Sequence, residues 1–157
     1  MRHQLNKIAI HTSRRHETNK LIINRQKLKT GIQKLNLELN KEDLEIENLN
    51  FIGPIILDCE LNKNQDTVIL SGIISYRLNL CCVNCLKNFE RDFKEKIYQE
   101  YIKISRPIKF NAQLEEEDFI REYHSTDYFD IKPLIRDTII LSVPIAFWCR
   151  TDCKGVL

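Results

Sequence analysis

Three features of the sequence predict an α+β fold: a mainly antiparallel sheet with a long central hairpin and a C-terminal helix. The first is a two-residue alternation that places one apolar face along each of residues 55–61 and 67–80, with a polar loop between them. The second is an apolar i, i+4 pattern between Asp130 and Pro144. The third is two spaced cysteine pairs that such a fold can bring together.

Along the chain, Leu35, Leu37 and Leu39 alternate with polar residues and read as a short strand. Residues 42–49 fit either a helical turn or further alternation. Gly53-Pro54 punctuates the chain before the hairpin. Its first strand, 55–61, places Ile55, Leu57, Cys59 and Leu61 on one face. Residues 62–66 are a polar loop of hairpin length. The second strand, 67–80, places Val68, Leu70, Ile74, Tyr76, Leu78 and Leu80 on one face. Residues 89–102 carry aromatic residues at helical spacing, but their aromatic and β-branched content favours a strand. The run Glu115–Asp118 reads as a solvated loop or helix start. A helix near 131–142 follows, with Asp130 as its cap, Pro133 in its first turn and Pro144 as its stop. Leu57, Leu70, Ile74, Leu78, Leu134, Ile139 and Leu141 are the expected core. Residues 1–20 read as a loose basic segment and residues 21–157 as one domain.

Composition bounds the function. The 157 residues are 43% hydrophobic and 29% charged, an ordinary globular balance. No apolar run has the roughly 20 residues that span a bilayer. Met1 to Arg15 is too polar for a secretory signal, although Ser13, Arg14 and Arg15 leave an organelle-targeting reading open. The net charge of +2 conceals a segregation. Residues 1–34 hold nine lysines and arginines against one acid, a net +8, while the remainder holds 15 bases against 21 acids, a net −6. A basic end of this kind suits a polyanion, with Arg14, Arg15, Lys20, Arg25, Lys27 and Lys29 as candidate contacts to RNA phosphates. The other reading is a solvated basic face. No aromatic residue interleaves these bases, so base stacking is not expected from this segment.

Catalytic patterns are absent from the sequence: there is no HExxH and no glycine-rich phosphate loop. His124 near Asp127 reads as a surface pair. The six cysteines carry the strongest signal. Cys59 falls on the buried face of a strand and reads as core. Cys81 points away from Cys82 and reads as a bystander. The remaining four form Cys82-Val-Asn-Cys85 and Cys149-Arg-Thr-Asp-Cys153. Spacers of two and three residues let paired thiolates converge on one ion, so Cys82, Cys85, Cys149 and Cys153 are a candidate structural Zn2+ site with no open position. Unligated thiols and a redox CxxC pair are the alternatives.

The segment Leu80-Cys81-Cys82-Val83-Asn84-Cys85-Leu86, followed by Phe89, resembles the CxRCL element of the YceD family, whose members are called large ribosomal RNA subunit accumulation proteins (domain of unknown function 177). The run from Asp130 to Pro144 and the sequence Asp152-Cys153-Lys154-Gly155 are similar to the same family in order and spacing. The chain departs from it at Asn84, where arginine is frequent. The resemblance implies a ribosome biogenesis factor supporting accumulation of large-subunit (23S) rRNA in bacteria or plastids, with no known catalysis. The expected partner is a large-subunit rRNA precursor or a large-subunit ribosomal protein, with no membrane and no small-molecule substrate. The expected location is the bacterial cytoplasm or the plastid stroma. A CxxC redox or zinc-dependent enzyme is the competing class.

Overall fold

A computed structural model describes residues 20–104 and 120–155. Seven strands and one helix follow in order: β1 (Ile22–Asn24), β2 (Gly31–Leu39), β3 (Ile55–Asn64), β4 (Thr67–Cys81), β5 (Asn88–Lys103), β6 (Arg121–His124), β7 (Tyr128–Asp130) and α1 (Lys132–Ser142). β2 to β6 form a five-stranded sheet in sequence order, and β1 pairs antiparallel with β7. The hairpin is β3–β4, turning at Gln65-Asp66. β5 is a strand of 16 residues, as its aromatic content suggests. One pairing was not anticipated: β6 runs parallel to β5, with Glu100 opposite Arg121 and Lys103 opposite His124.

The backbone packs as two compact units, and β2, β3, β4 and β5 each contribute residues to both. The first comprises the described residues of Met1–Leu35, Cys59–Ser71 and Tyr98–Lys132. Leu21, Leu28, Leu61, Leu70, Phe129 and Ile131 are buried in it, as is Cys59, which is core as expected. The Tyr101 and Phe129 rings stack at 4.3 Å between centroids. Burial pushes the Tyr101 phenol far above its ordinary range, so it stays neutral.

The second unit comprises Asn36–Asp58, Gly72–Ile97 and Pro133–Leu157. Its buried set includes Leu39, Leu44, Ile55, Leu57, Ile74, Leu78, Ile97, Ile135 and Ile139. Tyr76 stacks on Phe93 at 5.1 Å and meets the edge of Phe51. Its hydroxyl lies 2.5 Å from Ser142 Oγ, and Ser142 in turn donates to the Ile139 carbonyl. The Tyr76 hydroxyl is therefore the donor of the pair.

α1 begins where Asp130 Oδ1 accepts the Lys132 amide at 2.9 Å, which satisfies one of the free N–H groups of the first turn. Two residues of α1 depart from the expected core. Leu134 is only half-buried, and Leu141 is 84% exposed. The helix turns about 100° per residue, so Leu141 lies about 200° around from the inward-facing Ile139. The inward row is Ile135 and Ile139.

Candidate metal centre

Each cysteine pair sits on its own turn. Cys82 follows the end of β4, and its carbonyl accepts the Leu86 amide at 2.9 Å while its amide donates to the Lys87 carbonyl at 3.0 Å. These bonds fold Cys82–Leu86 into a tight turn that closes with Leu86 in the left-handed region, φ 58°. Such a turn points the side chains of its first and last cysteines to one side. The second pair follows α1 on the 149–153 turn, where the Cys153 amide reaches the Arg150 carbonyl.

The turns are tied together by groups other than sulfur. The Val83 amide donates to the Phe147 carbonyl at 2.9 Å, and Asn84 Nδ2 donates to the Cys153 carbonyl at 3.0 Å. Arg91 Nη2 donates to the Trp148 carbonyl. Gly155, at φ 84°, lets the chain pass the Asn84 carbonyl, which would stand 3.2 Å from any Cβ placed there.

The four sulfurs of Cys82, Cys85, Cys149 and Cys153 all lie within 4.8 Å of one another. The Cys82–Cys153 and Cys85–Cys149 separations are both 3.7 Å. Four thiolates about 2.3 Å from a tetrahedral zinc ion have edges of ~3.8 Å, close to these two separations, so the donor set suits such an ion. Both short contacts run between the pairs rather than within them. Disulfides are absent among the described residues.

Backbone amides of Cys85 and Cys149 hold the Cys82 thiol down, to about 6, against the effect of its burial. Burial and the neighbouring thiols push Cys149 up, to about 12. Four sulfurs so close cannot all carry negative charge unless a cation shares the space. When bound, a zinc ion would supply a fold-stabilising cross-link; four protein ligands leave it no position for substrate.

Cys81 is exposed, as its place beyond the buried face of β4 suggested. Of the basic candidates, Lys20, Lys27 and Lys29 are exposed, while Arg14 and Arg15 lie outside the described residues. Arg25 is a correction. It is 3% exposed, its guanidinium donating to the carbonyls of Asp66 and Tyr101, and so it is withdrawn from any phosphate. The acidic run Glu115–Asp118 also lies outside the described residues. His124 and Asp127 do not pair: His124 Nε2 lies 3.1 Å from Glu122, and Asp127 is taken by Lys103 and Gln26. Sequence reasoning missed Asn84 as a brace. It also missed the basic residues Lys87, Arg150 and Lys154, which flank the cysteines and line a cleft at the centre. Their adjacency to the pairs was the available signal.

Comparison with known proteins follows this geometry. The family described as "Large ribosomal RNA subunit accumulation protein YceD" matches residues 70–157, more than half of the chain and all four clustered cysteines. An uncharacterized protein of Mycobacterium leprae (strain TN), ML1660, is 25% identical over 127 residues, which cover 80% of this chain. The chain spans 56% of that relative's length. No solved structure matches the chain. A hairpin, a helix and two cysteine turns in the family's order thus accompany a direct match, and the chain belongs to the YceD family.

Proposed function

We propose that this protein is a ribosome biogenesis factor of the bacterial cytoplasm that supports accumulation of large-subunit rRNA as a non-catalytic RNA-binding module. The observation that carries the reading is the gathering of Cys82, Cys85, Cys149 and Cys153 within 4.8 Å of one another in a chain of this family. Such a centre cross-links turns and leaves no position for substrate. A zinc ion there would be structural. RNA is then held by surface charge. With Arg25 buried, the basic end offers Arg14, Arg15, Lys20, Lys27 and Lys29. Each phosphate neutralised releases counterions, so binding through this segment should weaken steeply with salt.

The competing redox reading draws on one observation, the low-lying Cys82 thiol. The two readings separate on metal content: one tightly held zinc per chain supports the structural centre, and a reversible Cys82–Cys85 disulfide supports the redox protein. The functional test is capture of the full chain from lysate with identification of bound RNA and protein. Large-subunit precursor RNA should be enriched. Replacing Arg14, Arg15, Lys20, Lys27 and Lys29 with glutamate should weaken that enrichment and flatten its salt dependence. Enrichment of a ribosomal protein alone, unaffected by the charge reversal, would overturn the RNA reading.

A further inference from the structure

The second unit carries a feature that the basic N-terminal segment lacks: a half-exposed tryptophan immediately before residues that line a basic cleft. A cleft of about 670 Å³ opens at the cysteine centre, with Lys87, Arg150 and Lys154 in its lining against one acid, Asp152. Trp148 immediately precedes the ligand candidate Cys149 and is 49% exposed. Its backbone is braced on both sides. Arg91 Nη2 holds the Trp148 carbonyl at 3.2 Å, and the Val83 amide holds the Phe147 carbonyl. Val83, Leu86 and Ile145 are exposed apolar side chains of the same unit. A lone half-exposed tryptophan is often mere packing. A backbone-braced one, half-exposed and two residues from a cleft-lining arginine, offers a candidate stacking platform.

We propose that this face binds single-stranded RNA, with Trp148 stacking an unpaired base while Lys87, Arg150 and Lys154 hold adjacent phosphates. The inference rests on the RNA-binding reading above and deepens it by naming a second contact and the strandedness of the RNA. Duplex RNA keeps its base faces inside the helix, and only unpaired bases offer one to an aromatic ring. Charge favours stacking over pure electrostatics here. A zinc ion held by four thiolates would leave two negative charges, which Lys87, Lys154 and an Arg150 already 3.3 Å from Asp152 would offset. The site is close to neutral overall, with exposed cationic heads on flexible stems. Its binding should therefore fall less steeply with salt than binding through the N-terminal bases.

The chain contains one tryptophan, so fluorescence excited beyond the tyrosine absorption band reports on this position alone. The zinc-loaded full chain is titrated with a short, end-labelled oligouridylate, and Trp148 fluorescence and label anisotropy are read together. Saturable quenching is expected, coincident with the anisotropy rise and absent with a perfect RNA duplex. Trp148→Ala should weaken binding by roughly 5- to 150-fold, the worth of one stacked base, and Trp148→Phe should restore most of it. Lys87→Ala/Lys154→Ala, at exposed positions, should weaken it with the zinc content unchanged. Circular dichroism and zinc content confirm that each variant is folded. The N-terminal charge-reversed protein should still quench. Binding seen by anisotropy with no change in fluorescence, or unaltered by Trp148→Ala, would overturn the second contact and leave RNA binding by the basic end intact. No binding of any RNA by any variant would overturn both.

Discussion

Arg25 and Lys27 stand two residues apart in one basic run, yet the fold gives them opposite roles. Arg25 is sequestered under the carbonyls of Asp66 and Tyr101, and burial lowers its pKa while Asp127 and Asp66 act to raise it. Lys63 Nζ closes the same corner by donating to the Arg25 and Leu28 carbonyls at 2.9 Å. Arg25→Met should destabilise the protein by about 2–3 kcal/mol in urea denaturation, because two carbonyls lose a charged donor. Lys27→Glu with Lys29→Glu should leave stability within about 0.5 kcal/mol and lower RNA affinity instead. Equal effects of the two changes on stability would contradict the assignment. Asp127 supplies a second residue-level test. Hydrogen bonds from Lys103 and Gln26 hold its carboxyl below the ordinary carboxylate range. A depressed folded pKa means that the stabilisation is complete above the unfolded value of about 3.9 and is lost as pH falls through the folded one. Asp127→Asn should flatten the acid limb of the stability profile below pH ~4, as read by thermal unfolding across pH.

At the scale of elements, local pattern was legible and phase was not. β3 and β4 could be read directly because side chains on a strand alternate with period two, so Leu57, Leu70, Ile74 and Leu78 are all fully buried. α1 was also legible as an element, from Asp130 and Pro144. Its inward row was not, since a helix rich in apolar residues admits several faces. Ile139→Ala should cost about 2–5 kcal/mol, while Leu141→Ala should change stability by less than about 0.5 kcal/mol. Chemical denaturation of the two variants side by side separates them. The parallel pairing of β6 with β5 had no local signal, because register across a long connection is set by the chain's return path. Arg25 escaped sequence reasoning for a related reason: its partners lie 41 and 76 residues away.

For the whole molecule, the cysteine spacing identified which thiols gather, and the separations of 3.7 Å agree with that reading. The cleft cations and Trp148 were not legible as a group, since the two turns that assemble them are far apart in sequence. Removing the metal tests the centre globally. Structural zinc in small peptides contributes on the order of 10–16 kcal/mol to folding at neutral pH, so chelation should lower the melting temperature sharply and expose the Val83 and Leu86 amides to exchange. Cys85→Ser should abolish stoichiometric zinc. Cys59→Ser should retain one zinc per chain and cost only the burial of a hydroxyl, about 1–3 kcal/mol. Zinc content by mass spectrometry of the native protein distinguishes the two.

The contact between Cys85 and Cys149 joins residues 64 positions apart, which has a consequence in time. Translation at about 5–20 residues per second separates the emergence of these two residues by roughly 3–13 s. Throughout that interval the first turn offers only two thiols. A two-thiol turn would hold an ion weakly and exchange it readily. Retention of a metal would be decided only when Cys149 and Cys153 arrive. The second cysteine turn would thus act as the commitment step for any metal bound here, and a ribosome stalled before Cys149 would hold a chain whose first turn offers two thiols alone.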